Sequence, residues 1–391
     1  MEQTAQHTPP LTVTLVQCEE TLKGRLKKGA LWGAASQENQ DGGVPVKFVP
    51  GSCLHGWNSA RVCRTSEINQ HIRAANPTSI PFSIQTSDET ASLTAEGRLG
   101  CWQIAPGGAG RNLNLSLPVE ECTLQESGNE PLRLQKLTAI VQIDLSSLPW
   151  EGMEKPRTPA VSILSISGGE KSRLRTAAWL ELALADWCRE HLDTLLSFLS
   201  DIESLPAVQT RYACLESFDS SADMIGVLSA ENSSCLSGLQ HILPVEQADT
   251  ILVNQDSPSG EALLQTLPVF QRFSAGGLEA VNGEFRAKEP CPLLPADENG
   301  PSLTINSLLI RTQPHLHVEM DVSLSLPSGG TVHLIIHSSF EAVFSGGEVR
   351  FRAGASSTLS HYAEIPGGKL PEDQQQEIAQ AVEYLTARVL Y

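Results

Sequence analysis

Residues 171–205 contain neither glycine nor proline, and an amphipathic segment so long and so free of breakers predicts a helix. Leu180, Leu184, Trp187, Leu195, Leu199 and Ile202 fall on one apolar stripe along it, widened by Leu192 and Leu196. His191 lies on the same stripe, where a hydrogen-bonded core histidine is the expected state. Ser167 and Glu170 have the spacing of a capping box at its start, and Pro206 closes it. Helical throughout, the segment would be about 50 Å long at ~1.5 Å per residue. Something elongated must then cover its apolar side.

The rest of the chain reads mainly as strands. Residues 93–99 predict a strand in which Gly97 and Gly100 mark bulges or bends of a curved sheet. Leu113, Leu115, Leu117 and Val119 alternate as a half-buried strand should, and Pro118 suggests that this strand ends there or lies at an edge. Before it, Pro106-Gly107-Gly108-Ala109-Gly110 predicts a turn whose glycines supply positive φ angles. Residues 303–351 read as a β-meander. A second helix starts after Pro371 and presents Ile378, Ala381, Val382, Leu385 and Val389 on one face. Residues 1–50 read as an N-terminal extension, and 51–391 as one module that could divide into two discontinuous lobes.

Lys and Arg number 27 against 45 Asp and Glu, a net charge of -18 in 391 residues. That charge repels phosphate backbones, so no nucleic-acid partner is expected. The basic stretch 23–28 is read as a solvated charged segment rather than a membrane anchor. No apolar run reaches spanning length, so no transmembrane segment is expected. The N-terminus lacks the pattern of a secretory signal, which predicts synthesis in the cytoplasm. The nine cysteines include no C-x-x-C pair; Cys18, Cys101, Cys188 and Cys214 are read as small buried thiols. The glycosylation-type triplets at Asn114 and Asn232 carry no weight without a signal segment.

No nucleophile elbow, H-E-x-x-H, Walker loop or dinucleotide fingerprint occurs, so no catalytic residue and no cofactor is expected. The glycines at 107, 108 and 110 lack the Lys-Ser/Thr of a phosphate loop and precede a strand. His315, His317, His333 and His337 fall within one predicted hairpin closed by Pro327-Ser328-Gly329-Gly330. Its apolar residues share a face only if even-numbered positions oppose even-numbered ones, which puts all four histidines on the polar face. Pairing Leu326 with Val332 sets His337 opposite Asp321 and His317 opposite Glu341. The two histidines then lie about 13 Å apart along the strand. That distance forbids a shared ion, so no metal is expected.

Several segments resemble one family, the bacterial TULIP-type proteins of botulinum neurotoxin gene clusters, namely the forty-seven-kilodalton protein and its OrfX relatives. Gly56-Trp57-Asn58, Val62 and Ile68-Asn69 resemble that family's opening Gly-Trp-Asp…Val-Asn segment, with Asn58 in place of the acidic residue. Trp102-Gln103-Ile104-Ala105-Pro106-Gly107-Gly108 is similar to its Trp-Gln-Ile…Gly-Gly hairpin. Residues 187–192, Gly226-Val227-Leu228 and 251–268 are similar to its later segments. The resemblance implies an α+β, TULIP-like, elongated fold in which a strongly curved antiparallel sheet wraps a long helix. It further implies a non-enzymatic protein with insecticidal or toxin-accessory action. Lipid or another hydrophobic ligand, or other toxin-cluster proteins, would be its partners, and the protein would be released to act on a host.

On that reading Leu180, Leu184, Trp187, Leu195 and Leu199 line a hydrophobic groove, whereas plain core packing is the alternative for each. A structural subunit of a larger toxin complex, with a filled core and no ligand, is the second reading of the chain. A hydrolase has no nucleophile–base pairing in the sequence to support it.

Overall fold

The computed structural model describes residues 11–15, 43–76, 79–87, 92–148, 160–168, 174–207, 209–215, 224–230, 249–267, 278–281, 284–293, 303–312, 315–365 and 372–390. In chain order the first strands are β1 (Leu11–Leu15), β2 (Val44–Val49), β3 (Ser59–Arg64), β4 (Ile80–Ser87), β5 (Ser92–Leu99) and β6 (Gln103–Ile104). There follow β7 (Asn112–Glu126), β8 (Leu132–Asp144), β9 (Val161–Gly168), β10 (Gln209–Leu215), β11 (Met224–Ala230) and β12 (Thr250–Asn254). The last are β13 (Leu278–Val281), β14 (Glu284–Ala287), β15 (Cys291–Leu293), β16 (Leu303–Arg311), β17 (Leu316–Ser325), β18 (Thr331–Ser345) and β19 (Glu348–Ile365). The α-helices are α1 (Thr65–Ala75), α2 (Leu174–Glu190), α3 (Leu192–Leu195), α4 (Pro258–Leu264) and α5 (Glu372–Leu390). The chain divides into two compact units, Gly51–Leu252, and Met1–Pro50 with Val253–Tyr391. Cys18, the basic stretch 23–28, Glu170, Asn232 and Pro371 lie outside the described residues.

In the unit Gly51–Leu252, an antiparallel sheet of order β4-β5-β7-β8-β9 carries β6 beside β7. Leu113, Leu115, Leu117 and Val119 are buried as their alternation predicts. Beyond Val119 the buried positions become Cys122 and Leu124, because the register against β5 shifts by one residue between Arg98 and Leu99. Gly97 sits beside this bulge: a Cβ there would lie 2.1 Å from the Glu121 carbonyl oxygen, closer than any side chain tolerates. Pro118 does not end its strand or lie at an edge, contrary to the sequence reading. It pairs with Thr138 of β8 on one side. On the other, β7 changes partner from β6 at Ser116 to β5 at Val119, so no ladder bond needs the missing N–H. A second antiparallel group runs β10-β11-β3.

Helix α2 packs against β4 and β5 at one side of the sheet order and against β9 at the other. Its stripe joins the sheet's apolar face in one core containing Trp102, Leu115, Ile143, Leu184 and Trp187. The single helix expected over 171–205 is not what forms. Ser167 lies in β9 rather than in a cap, and α2 ends at Glu190. At His191 the backbone leaves helical geometry, with φ -119 and ψ 25. The His191 ring folds back on the preceding turn there: its Nδ1 lies 2.8 Å from the Trp187 carbonyl oxygen, and the imidazole stacks on the Trp187 indole at 4.3 Å. The Ser197 and Ser200 hydroxyls then donate to the carbonyls of Thr194 and Ser197, diverting acceptors from the helix ladder. The chain passes through the one-turn α3 and the 3-10 turn Ser197–Leu199 before becoming irregular.

In the other unit the order is β1-β19-β18-β17-β16-β14-β13, with β15 beside β16. Residues 1–50, read as an extension, contribute β1 against β19 and β2 against β18, where β2 takes over the edge that β17 leaves after Phe340. The meander expected over 303–351 is β16 to β19, with even-numbered positions of β17 buried throughout. Helix α5 buries Ile378, Ala381, Val382 and Leu385 and packs on β17 and β18.

Cys188 and Cys214 are buried, as are Cys63 and Cys122, whereas Cys101, read from the sequence as buried, is partly exposed, like Cys53 and Cys291. Burial pushes the Cys63 thiol up to about 11 and those of Cys122 and Cys188 up to about 12. A thiol-specific reagent at neutral pH will therefore modify Cys53, Cys101 and Cys291 in the folded protein and leave Cys63, Cys122, Cys188 and Cys214 intact until it unfolds. Residue-resolved mass spectrometry checks this. Rapid modification of Cys188 under native conditions would contradict the core packing.

Candidate functional site

Two of the segments that carried the family resemblance, 56–69 and 102–108, meet at α1. Trp57 is buried ahead of β3, and the Asn58 N–H donates to the Ser229 carbonyl at 2.9 Å. Val62 pairs with Gly226 of β11. Helix α1 follows β3 directly and turns Ile68, Asn69 and Ile72 inward. The Asn69 Nδ2 donates to the Ile104 carbonyl at 3.0 Å, and its Oδ1 accepts from the Ile104 N–H at 2.7 Å. A side-chain amide offers the same donor and acceptor as a peptide group, so Asn69 substitutes for a strand neighbour that β6 lacks on this side. The Trp-Gln-Ile hairpin is thereby fastened to α1. Its turn uses Gly107 at φ +84, as the glycine run predicts.

Beside this clasp lies a cleft of about 350 Å³ lined by Thr65, Ser66, Gln70, Arg73, Gln103 and Pro106 together with Asn69 and Ile104. Arg73 is its one charged lining residue, and no carboxylate, imidazole or thiol is among them. Such a lining can bind a polar or anionic group but offers no general acid–base pair. Burial raises the pKa of the nearby Cys101 thiol, and the Arg73 charge partly opposes that rise. Sequence reasoning quoted Asn69 and Gln103 within motifs but did not join Asn69 to Ile104, and it passed over Arg73.

The structure brings the five groove candidates together, but as interior residues. Leu180, Leu184, Trp187, Leu195 and Leu199 are each 5% exposed or less. All five belong to the apolar core shared with the sheet.

The histidine hairpin differs from its expected register. Leu324, not Leu326, opposes Val332, so Glu319 faces His337 and Asp321 faces Ile335. The cause is a tighter turn, in which the Leu326 N–H donates to the Gly330 carbonyl and the Gly329 N–H to that of Leu326. A shift of two residues leaves every side chain on its expected face, yet it brings the rings of His317 and His337 to 6.0 Å. The 13 Å separation argued from sequence is thereby corrected. Donor atoms of His317, Glu319 and His337 lie within 4.8 Å of one another. Burial lowers the pKa of His317, Glu319 opposes that shift, and His337 and Arg311 add to it. His333 lies apart from this group: its Nδ1 is 3.1 Å from Asp321 Oδ1, and its ring stacks on Tyr362 at 4.4 Å.

The chain is largely β, with open sheets and a helix set on the apolar face of one of them. Residues 54–164 match the family described as OrfX-like, Protein OrfX2/OrfX3/P47. This is the family that the motifs resemble, and the matched segment contains the α1 clasp and its cleft. P47 of Clostridium botulinum E1 shares the fold at 13% identity and a TM-score of 0.51, the alignment covering 86% of this chain and 88% of that one. P47 from Clostridium botulinum A2 aligns with the same coverage and identity at a TM-score of 0.48. A lipopolysaccharide binding protein aligns over 84% of this chain and 88% of its own, at 11% identity and a TM-score of 0.26, too low to establish a common fold. No curated protein matches the sequence. Among the described residues no helix is long and apolar enough to cross a membrane.

Proposed function

We propose that this chain is a non-enzymatic, TULIP-type bacterial protein that acts as an insecticidal or toxin-accessory factor through a lipid or other apolar ligand. The observation that carries this reading is the OrfX/P47 family match on a fold shared with P47. The curved-sheet arrangement implied by the family is supported by the packing of β4 and β9, the two outer strands of one sheet, on the same helix. Leu180, Leu184, Trp187, Leu195 and Leu199 are the lining such a ligand would meet. With all five buried, uptake requires α2 to part from β4 or from β9. The protein would be made in the cytoplasm and released to act on a host.

The same burial favours a second reading, a structural subunit of a larger toxin complex whose core is filled and which takes no ligand. One paired measurement separates them: thermal unfolding, and retention of a fluorescent fatty acid or phospholipid. If the stripe opens to ligand, Leu195→Trp will fill the groove and cut retention while the unfolding temperature holds. If the stripe is core alone, the change will overpack it and destabilise by about 1–3 kcal/mol. Clear destabilisation, with no lipid retained by the unaltered protein, rejects the ligand reading. Feeding the purified protein to insects then tests toxicity directly.

A further inference from the structure

The polar face of the β17–β18 pair brings two imidazoles and a carboxylate to one point, and we propose that His317, Glu319 and His337 form a site for a divalent transition-metal ion of the Zn²⁺ class. Glu319 and His337 are directly opposed across the ladder, and His317 stands two positions from Glu319 on the same face. The two rings are nearly parallel, 22° apart, with centroids 6.0 Å from each other. The donor atoms of all three side chains lie within 4.8 Å of one another. Ligands at ~2.1 Å from one tetrahedral ion stand about 3.4 Å apart, so closure asks for side-chain rotations that shorten the widest of these separations by up to about 1.4 Å. His317 Nε2 is 3.8 Å from the nearer Glu319 oxygen, too long for a hydrogen bond, so an ion between them would break none there.

The framework behind the three residues is a paired ladder packed on its opposite face. Val318, Met320 and Ile336, interleaved with them along the strands, are buried on the opposite face. The carboxylate is also oriented from behind. Arg311 Nη1 donates to Glu319 Oε1 at 2.6 Å, and Arg311 Nε donates to Glu284 at 3.2 Å. Hydrogen bonds from Arg286 first, and then from Arg311, hold Glu284 below the usual carboxylate range, so Arg311 keeps a counter-charge when Glu319 turns an oxygen to a cation. The half-buried ligands, at 32% and 31% side-chain exposure for His317 and Glu319, leave room for water in the remaining positions. A net charge of -18 adds a field that favours cations. Two neutral imidazoles with one carboxylate suit Zn²⁺, whereas Mg²⁺ and Ca²⁺ require mostly oxygen donors.

The test uses the full chain, stripped with chelator and titrated with Zn²⁺ in a calorimeter. One ion per chain is expected, with no response to Mg²⁺. His317→Ala and His337→Ala should each weaken binding at least tenfold, while His315→Ala, an exposed neighbour outside the cluster, should not. Diethyl pyrocarbonate footprinting of the unaltered protein supplies a readout independent of any variant's folding. Zn²⁺ should protect His317 and His337 from modification and leave His315 reactive. Absence of Zn²⁺ binding overturns the proposal. So does binding that both alanine variants retain, or binding without protection of these two rings.

Discussion

Replacing Trp187 with alanine will destabilise the unit Gly51–Leu252 by about 3–5 kcal/mol, the cost of emptying a large, closely packed interior site. Trp187 is 2% exposed and sits where α2 meets the sheet core. It also stacks on His191, so its loss removes that ring's packing partner at the end of the helix. Since a domain's whole stability is about 5–15 kcal/mol, the variant will stand near the edge of folding. The buried thiols of Cys63, Cys122 and Cys188, all in the same core, report the opening of this unit alone. Their labelling should accelerate by roughly a hundredfold to a few thousandfold, at about 1.36 kcal/mol per decade. Acceleration of less than tenfold would mean that the indole is not part of a filled interior, and would favour a groove that tolerates vacancy.

A loss of about 2–4 kcal/mol is expected from Asn69→Ala, because it strands two polar groups at once. The Ile104 N–H and carbonyl both bond to this side chain, which is 9% exposed. The urea midpoint should fall without a change of slope. Gln70→Ala, in the same cleft but on the exposed side of α1, should stay within about 0.5 kcal/mol of the parent. Equal effects from the two changes would show that the clasp is not what secures the hairpin. The clasp joins two of the segments that resemble the OrfX/P47 family, and both of its residues line the cleft beside it.

Local pattern sufficed wherever burial alone selects a conformation. The odd-numbered Leu113 to Val119 alternation, the even-numbered buried face of β17, the interior face of α5 and the Gly107 turn were all legible because side-chain period and φ preference are properties of neighbours in sequence. The five stripe residues were likewise marked as one apolar face. What was not legible depended on partners that no short window contains. Helix α2 ended at Glu190, next to the ring that stacks on Trp187, although neither glycine nor proline stood there. Pro118 kept its place inside β7 because a different strand pairs on either side of it. Asn69 met Ile104 across 35 positions of chain.

The histidine hairpin shows the boundary between the two kinds of information. Binary pattern fixed that the histidines share the polar face, since a slip of one residue would bury them and expose the apolar set. It could not choose between registers two residues apart, because both bury the same side chains. That choice fell to the backbone hydrogen bonds of the 326–330 turn, and with it the distance between His317 and His337.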